Sequence, residues 1–276
     1  MRVKLNGTRG SVGRAGPETV RYGGDTSSIE LTSDEGPTLI LDAGSGVVHA
    51  DIANTTSGRV DVLLTHLHMD HIQGLGFFRP LFEHDVEVHM WGPVSTTKSL
   101  TARLGRYLSP PLFPVRLRDL PSVTVHDLPP GAIDIGPFTV TAEFVVHPGQ
   151  TFGYRIEGDG RTLAYLPDHE PALGTGRIPN DPRWTSGFAL ADRVDVLIHD
   201  AQYTDAEYPD RVGWGHSSLS QAVDFAELAE VGRLVTFHHE PNHSDAEIDR
   251  HHSEVAQQRN PSVSFEPGLA GATFQV

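Results

Sequence analysis

The sequence predicts a layered α/β protein, with sheets packed together and helices outside them. Three observations carry this. Short apolar runs that end in turn or polar residues recur along the chain, two longer stretches carry helical signals, and no linker rich in Gly, Ser or Pro separates two domains. The 276 residues are read as one domain, 1–276, long enough to bury a sizeable core.

The predicted strands are "TLILDAG" (38–44), "VDVLLTH" (60–66), "VEVHMWG" (86–92), "FTVTAEFVVH" (138–147), "FGYRIEG" (152–158), "RTLAYLPD" (161–168), "VDVLIHD" (194–200) and "RLVTFHH" (233–239). "EGDGRT" between the fifth and sixth is a hairpin turn. Residues 95–109 read as a helix stopped by Pro110-Pro111. Residues 217–231 read as another: Leu219, Ala222, Val223, Ala226 and Ala229 make one apolar stripe, and Ser218 with Gln221 fits a capping box. The opening 7–28 is glycine-rich and polar and is expected to be loop rather than core; it lacks the strand–GxGxxG–helix context of a nucleotide fingerprint.

Composition narrows the function. No apolar run of about 18 residues exists, so no membrane span is expected. The start has no segment of signal-peptide type, which points to the cytoplasm. With no cysteine, disulfides and thiolate metal sites are excluded. A formal charge of −15 opposes non-specific binding to nucleic acid. The charge is uneven: Val88–Arg118 holds no acid but carries Lys98, Arg103, Arg106, Arg116 and Arg118. That stretch is either a solvated face or a local attractor for a small anionic substrate.

"LLTHLHMDHIQGL" (63–75) concentrates three histidines and an aspartate in six positions behind an apolar strand. His66 and His68, two apart on extended backbone, point to one side. Asp70 and His71 follow at a helix start, where the dipole favours a carboxylate. Three or four such ligands hold one divalent ion, and two ions need more. Other strands supply them: His147, Asp168 and the His238–His239 pair each end an apolar run. One such histidine alone is an ordinary capped or core residue; the set is a metal site, because buried ionisable clusters need compensation.

"THLHMDHIQG" matches the HxHxDH signature of the metallo-β-lactamase-fold hydrolases, and the later His, Asp and His follow in that superfamily's order. The resemblance spans essentially the whole chain. It implies a four-layer αββα sandwich with the site at one edge between the sheets. It also implies two divalent ions per chain: His66, His68 and His147 on one, Asp70, His71 and His238 on the other, Asp168 bridging. His239 and His169 adjoin assigned ligands and are the alternatives there. Zinc is the first choice of metal, with manganese or iron possible for an all-nitrogen-and-oxygen site.

The branch is narrowed further. Metallo-β-lactamases proper that hold a second zinc use a cysteine ligand, which is absent, and flavodiiron proteins have a glutamate where His68 stands. "IHDAQY" (198–203) and "GHSS" (215–218) resemble segments of the phosphodiesterase branch, which includes ribonuclease Z and the small cyclic-phosphate phosphodiesterases. That likeness implies that Asp200, in place of the branch's glutamate, orients His216, which protonates the leaving oxygen. A hydroxide bridging the metals, oriented by Asp70, would attack phosphorus. No inserted segment resembles the tRNA-gripping arm of ribonuclease Z, so structured nucleic acid is not expected. A small phosphodiester such as a cyclic nucleotide is. "GTRGS", "RYGGDTSS" and "LDAGSG" also look like a small-molecule-hydrolase branch. Arg103, Arg106, Arg116 or Arg118 would steer the phosphate, and Tyr107 and Phe113 either stack on a base or pack under a loop. Two readings compete on the same fold: an acyl hydrolase of a thioester, lactone or lactam, and a non-catalytic metal-binding or scaffold protein. A homodimer is possible, the commonest assembly.

Overall fold

A computed structural model describes residues 1–52, 57–173, 178 and 181–276. Among these, fourteen strands form two seven-stranded sheets. The first contains β1 (Arg2–Gly7), β2 (Ser28–Thr32), β3 (Thr38–Leu41), β4 (Arg59–Leu63), β5 (Glu87–Pro93) and β6 (Val123–Leu128). The second contains β7 (Gly131–Ile135), β8 (Phe138–Phe144), β9 (Phe152–Gly158), β10 (Arg161–Leu166), β11 (Val196–Asp200), β12 (Arg233–Phe237) and β13 (Ser264–Pro267). The chain then returns to the first sheet, where β14 (Thr273–Gln275) pairs antiparallel with β1. Each sheet begins as an antiparallel meander (β1–β3; β7–β10) and continues as a parallel run (β3–β6; β10–β13).

The period of two along the strands builds the layers. Leu39 and Leu41 of β3 face the same inner core as Leu163 and Tyr165 of β10, together with Leu5, Ile29, Phe152, Tyr154 and Phe237. Ile40 between the two leucines points outward, packing with Val60, Val62 and Met90 under Leu100 and Leu104. Ala164 and Leu166 likewise point outward, onto Leu219, Val223, Phe225 and Ala226. Each fully buried leucine or phenylalanine contributes about 1.5–3 kcal/mol. Two sheets face to face with helices on both outer sides make the expected αββα sandwich.

The helices are α1 (Met69–Ile72), α2 (Leu100–Tyr107), α3 (Phe188–Ala191), α4 (Leu219–Leu228) and α5 (Asp245–Arg259). In α4 the expected capping box is present: the Ser218 side chain accepts from Gln221 N, and the Gln221 side chain accepts from Ser218 N. α2 is shorter than the predicted 95–109. It starts only after Ser99, whose side chain caps Ala102 N, and stops at Tyr107 before the prolines. α5 was not expected; only Ile248 and Val255 are buried along its fifteen residues, so the apolar period is nearly absent.

The opening segment also departs from expectation. It is loop between β1 and β2, but Thr8, Arg9, Thr26 and Ser27 are fully buried. Its backbone is stitched inward, with Thr8 N and Arg9 N both donating to Asp25 O and Gly44 N donating to Ser27 O. No helix among the described residues is long and apolar enough to cross a membrane.

Candidate metal centre

The parallel strands of both sheets deliver their carboxyl ends to one edge, where open α/β sheets place ligands. His66 lies three residues beyond β4, and His68 lies just before α1, which carries Asp70 and His71. His147 follows β8, Asp168 follows β10, Asp200 ends β11 and His238 directly follows β12. Ligand atoms of His66, His68 and His147 lie within 4.8 Å of one another, and so do those of Asp70, His71, Asp168 and His238.

Asp168 sits between the two groups. Its Oδ2 is 3.8 Å from His66 Nε2 and 3.7 Å from His147 Nε2, while its Oδ1 is 3.0 Å from His71 Nε2 and 3.4 Å from His238 Nε2. Asp70 Oδ2 faces the second group, 3.1 Å from His238 Nε2 and 3.4 Å from His71 Nε2. His239 turns away: its Nε2 donates to Gly268 O at 3.0 Å. His169 also points elsewhere, its Nδ1 2.9 Å from His199 Nε2.

Four of the histidines are aimed by a bond at the opposite ring nitrogen, an arrangement that fixes tautomer and orientation. His71 Nδ1 donates to Asp42 Oδ2 (2.8 Å), His147 Nδ1 to Gly215 O (2.9 Å), His238 Nδ1 to Gln202 Oε1 (3.2 Å) and His66 Nδ1 to Thr65 Oγ1 (3.1 Å). Thr65 in turn donates to Asp42, which also accepts from the Tyr165 hydroxyl. Burial, reinforced by the neighbouring imidazoles, holds His66 well below its ordinary pKa, and burial pushes His147 down to about 4. Burial disfavours charge on Asp168 too, but His238, His71 and His66 outweigh it and keep the carboxyl well below its usual range. At His71 burial is outweighed by Asp168, Asp42 and Asp70, which raise the imidazole well above its ordinary pKa, so a cation bound there would displace a proton.

The residues fit a divalent cation on a structural ground. His66 Nε2, His71 Nε2 and Asp168 Oδ1 are buried and make no hydrogen bond, although two of them lie 3.0 Å apart. His66 Nε2, buried beside this His71–Asp168 contact and without a partner of its own, calls for an electropositive partner.

Beside the cluster, His216 Nδ1 is 2.6 Å from Asp200 Oδ2, and its ring stacks on that of His238 with centroids 4.9 Å apart. Asp200 Oδ1 accepts from the backbone of Gln202 and Ser217, which fixes the carboxylate. Burial works against charge on His216, yet Asp200 prevails and pushes the imidazole up to about 9.

Several positioning residues were not singled out from the sequence. Asp42 carries the same signal as the ligands, an acid closing an apolar strand. Its φ of 58° is a left-handed conformation that Asp tolerates. Ser11 N donates to Asp70 Oδ2 at 2.8 Å, tying the opening segment to the centre. Glu170 accepts from the Tyr208 hydroxyl and from Gly213 N and Gly215 N, and so holds the loop that bears His216. Glu170→Gln places an amide donor against those N–H groups. We expect kcat/KM to fall roughly tenfold with metal content retained, checked by kinetics beside elemental analysis.

Gly215 has φ 90°, and a Cβ there would overlap His147 Nδ1 and Pro148 Cδ. Gly215→Ala is expected to destabilise the metal-free fold by about 2–3 kcal/mol, measured by urea unfolding.

The basic stretch divides by helix face. Arg103 and Arg106 border a cavity of about 570 Å³ that starts at Leu67 and Met69 on either side of His68. Arg116 and Arg118 border a different hollow beside Thr101, Gly105 and Leu108. Tyr107 donates its hydroxyl to Gln73 O (2.6 Å) and lines the first cavity, whereas Phe113 packs on Phe77 and Phe82.

A family model described as the beta-lactamase superfamily domain matches residues 38–239. The chain belongs to this superfamily. Among its relatives is a ribonuclease BN from Cronobacter sakazakii, 28% identical over 258 residues, covering 76% of this chain and 81% of that protein. The superfamily fold recurs in the Bacillus subtilis metallo-β-lactamase-fold protein YhfI, with a TM-score of 0.73, 18% identity and 99% of both chains covered. It recurs again in a diphosphatase of the PhnP family, with a TM-score of 0.68, 18% identity, and 100% of this chain and 97% of that one covered. Superfamily membership agrees with the metal-dependent hydrolase expected from the sequence.

Proposed function

We propose that this hydrolase cleaves phosphodiester bonds of small anionic substrates, with two divalent cations and with His216 as proton donor. The observation that carries the reading is the His216–Asp200 pair, 2.6 Å apart and stacked on the His238 ring beside the ligand clusters. A thioester hydrolase needs no acid at that position, because a thiolate departs without a proton.

His66, His68 and His147 would hold one ion, and Asp70, His71 and His238 the other, with Asp168 shared. Zinc is the first choice, and manganese or iron also suit these donors. When bound, such ions lower the pKa of water and neutralise charge on the phosphoryl group. The remaining work falls to the chain's own residues. Asp70, fixed by Ser11 N, offers an acceptor at the second cluster to orient the nucleophile. His216 has Nδ1 committed to Asp200, which leaves Nε2 to give a proton to the departing oxygen. Asp200 holds the ring in that tautomer, as a buried carboxylate does for a catalytic histidine.

The ribonuclease name of the relative supports phosphodiester chemistry, and the −15 charge of this chain favours small substrates over polyanions. The test is turnover by metal-loaded protein of bis(4-nitrophenyl) phosphate beside a neutral thioester and a lactone. Phosphodiester turnover alone is expected; acyl turnover without it would transfer the assignment to the acyl hydrolases.

A further inference from the structure

We propose that the cavity between the His68 loop and α2 receives the nucleobase of a nucleotide-type phosphodiester whose phosphate lies at the metal centre. This rests on the phosphodiesterase reading of that centre. The cavity adjoins the segment that bears the candidate ligands: Leu67 and Met69, which line it, flank His68, and Ile72, which also lines it, ends the helix that carries Asp70 and His71. At about 570 Å³ it lies within the range of small-molecule sites and has room for a base.

Its walls combine two kinds of unmet demand. Met69 is 53% exposed and Leu112 is 69% exposed, so apolar surface at the mouth faces water. Flat rings pack well on such surface, and a thioether adds a favourable contact with an aromatic ring. The same wall is cationic. Arg103 is tied through its guanidinium to Pro93 O and lies 3.7 Å from Asp127, yet its Nε is buried with no acceptor. Arg106 is exposed, and among the described residues its guanidinium has no hydrogen bond or ion pair, in a protein that carries 36 acidic residues.

A purely apolar occupant would strip water from the Arg106 guanidinium without replacing it, and a bare phosphate would leave the apolar wall wet. A planar ring with carbonyl and ring-nitrogen acceptors meets both, through packing on Met69 and Leu112 and stacking on or hydrogen bonding to the Arg106 guanidinium. This is the chemistry of a nucleobase.

The test compares two diesters with one leaving group: the 4-nitrophenyl ester of thymidine 5′-monophosphate and methyl 4-nitrophenyl phosphate. Metal-loaded wild type, Leu112→Trp, which fills the mouth, and Arg106→Ala are assayed in parallel. The wild-type preference for the nucleotide ester, as a ratio of kcat/KM, is expected to fall about tenfold in each variant, through KM. An unchanged ratio overturns the subsite. Calorimetric binding of thymidine 5′-monophosphate separates this from the chemistry. If wild type turns over neither ester, the phosphodiesterase reading fails. Binding about tenfold weaker in both variants would still place a base in the cavity, whereas equal binding in all three proteins, or none, would overturn it.

Discussion

His216→Ala lowers kcat for a phosphodiester with an alkoxide leaving group by about 10²- to 10⁴-fold, the usual worth of a positioned general acid. The loss depends on the leaving group. A 4-nitrophenolate departs readily without a proton, so its esters should lose far less rate in the variant than alkyl esters do. That contrast separates a proton donor from a packing residue: the His216 ring stacks on His238, and a disturbed ligand would slow every ester alike. Asp200→Asn should follow the same leaving-group pattern more weakly, since the ring remains but its tautomer is no longer held by a carboxylate. Parallel kinetics on an alkyl and an aryl diester, with metal content measured for each variant, check the expectation. An equal loss on both esters contradicts it.

Metal removal is expected to have the other large effect. Asp168, Asp70, His71, His66 and His238 are buried within a few ångströms of one another, and without a cation their charges compensate only among themselves. An ion present at a thousand times its Kd stabilises the folded state by about 4 kcal/mol. At roughly 2–4 °C per kcal/mol for a chain of this size, chelation should lower Tm by roughly 8–16 °C. Replacing Asp168 with asparagine should remove most of that difference, because one carboxylate faces both clusters. Differential scanning calorimetry with and without chelator measures it. A Tm that chelator leaves unmoved in wild type would mean that the cluster is held by its own ion pairs.

The central strands and the candidate ligands that cluster at their ends stand out together in the sequence, for one reason. Strands such as β4, β10, β11 and β12 are buried on both faces and read as continuous apolar runs, so a histidine or aspartate at their ends stands out. The outer strands were not legible. β7 is mostly exposed and has only two large apolar residues, β13 and β14 are short with no buried residue, and β1 mixes Arg, Lys and Asn with its apolar positions. α5 lies on the surface with a capping box but little apolar stripe, and the box is its clearest sign in the sequence. The residues that aim the ligands divide in the same way. Asp42 repeats the strand-end pattern. Glu170 and Gln202 act through contacts between segments far apart in the chain, which no local spacing encodes. The split of the basic stretch between two faces of α2 likewise depends on where that helix begins, and Ser99 sets that start.

The most direct test of the account is the number of ions the folded chain holds. Native mass spectrometry of wild type supplied with zinc or manganese should show two ions per chain, and the spectrum of Asp168→Ala should show fewer. A wild-type chain that binds none, or a variant that binds as many as wild type, would contradict a two-ion centre built around Asp168.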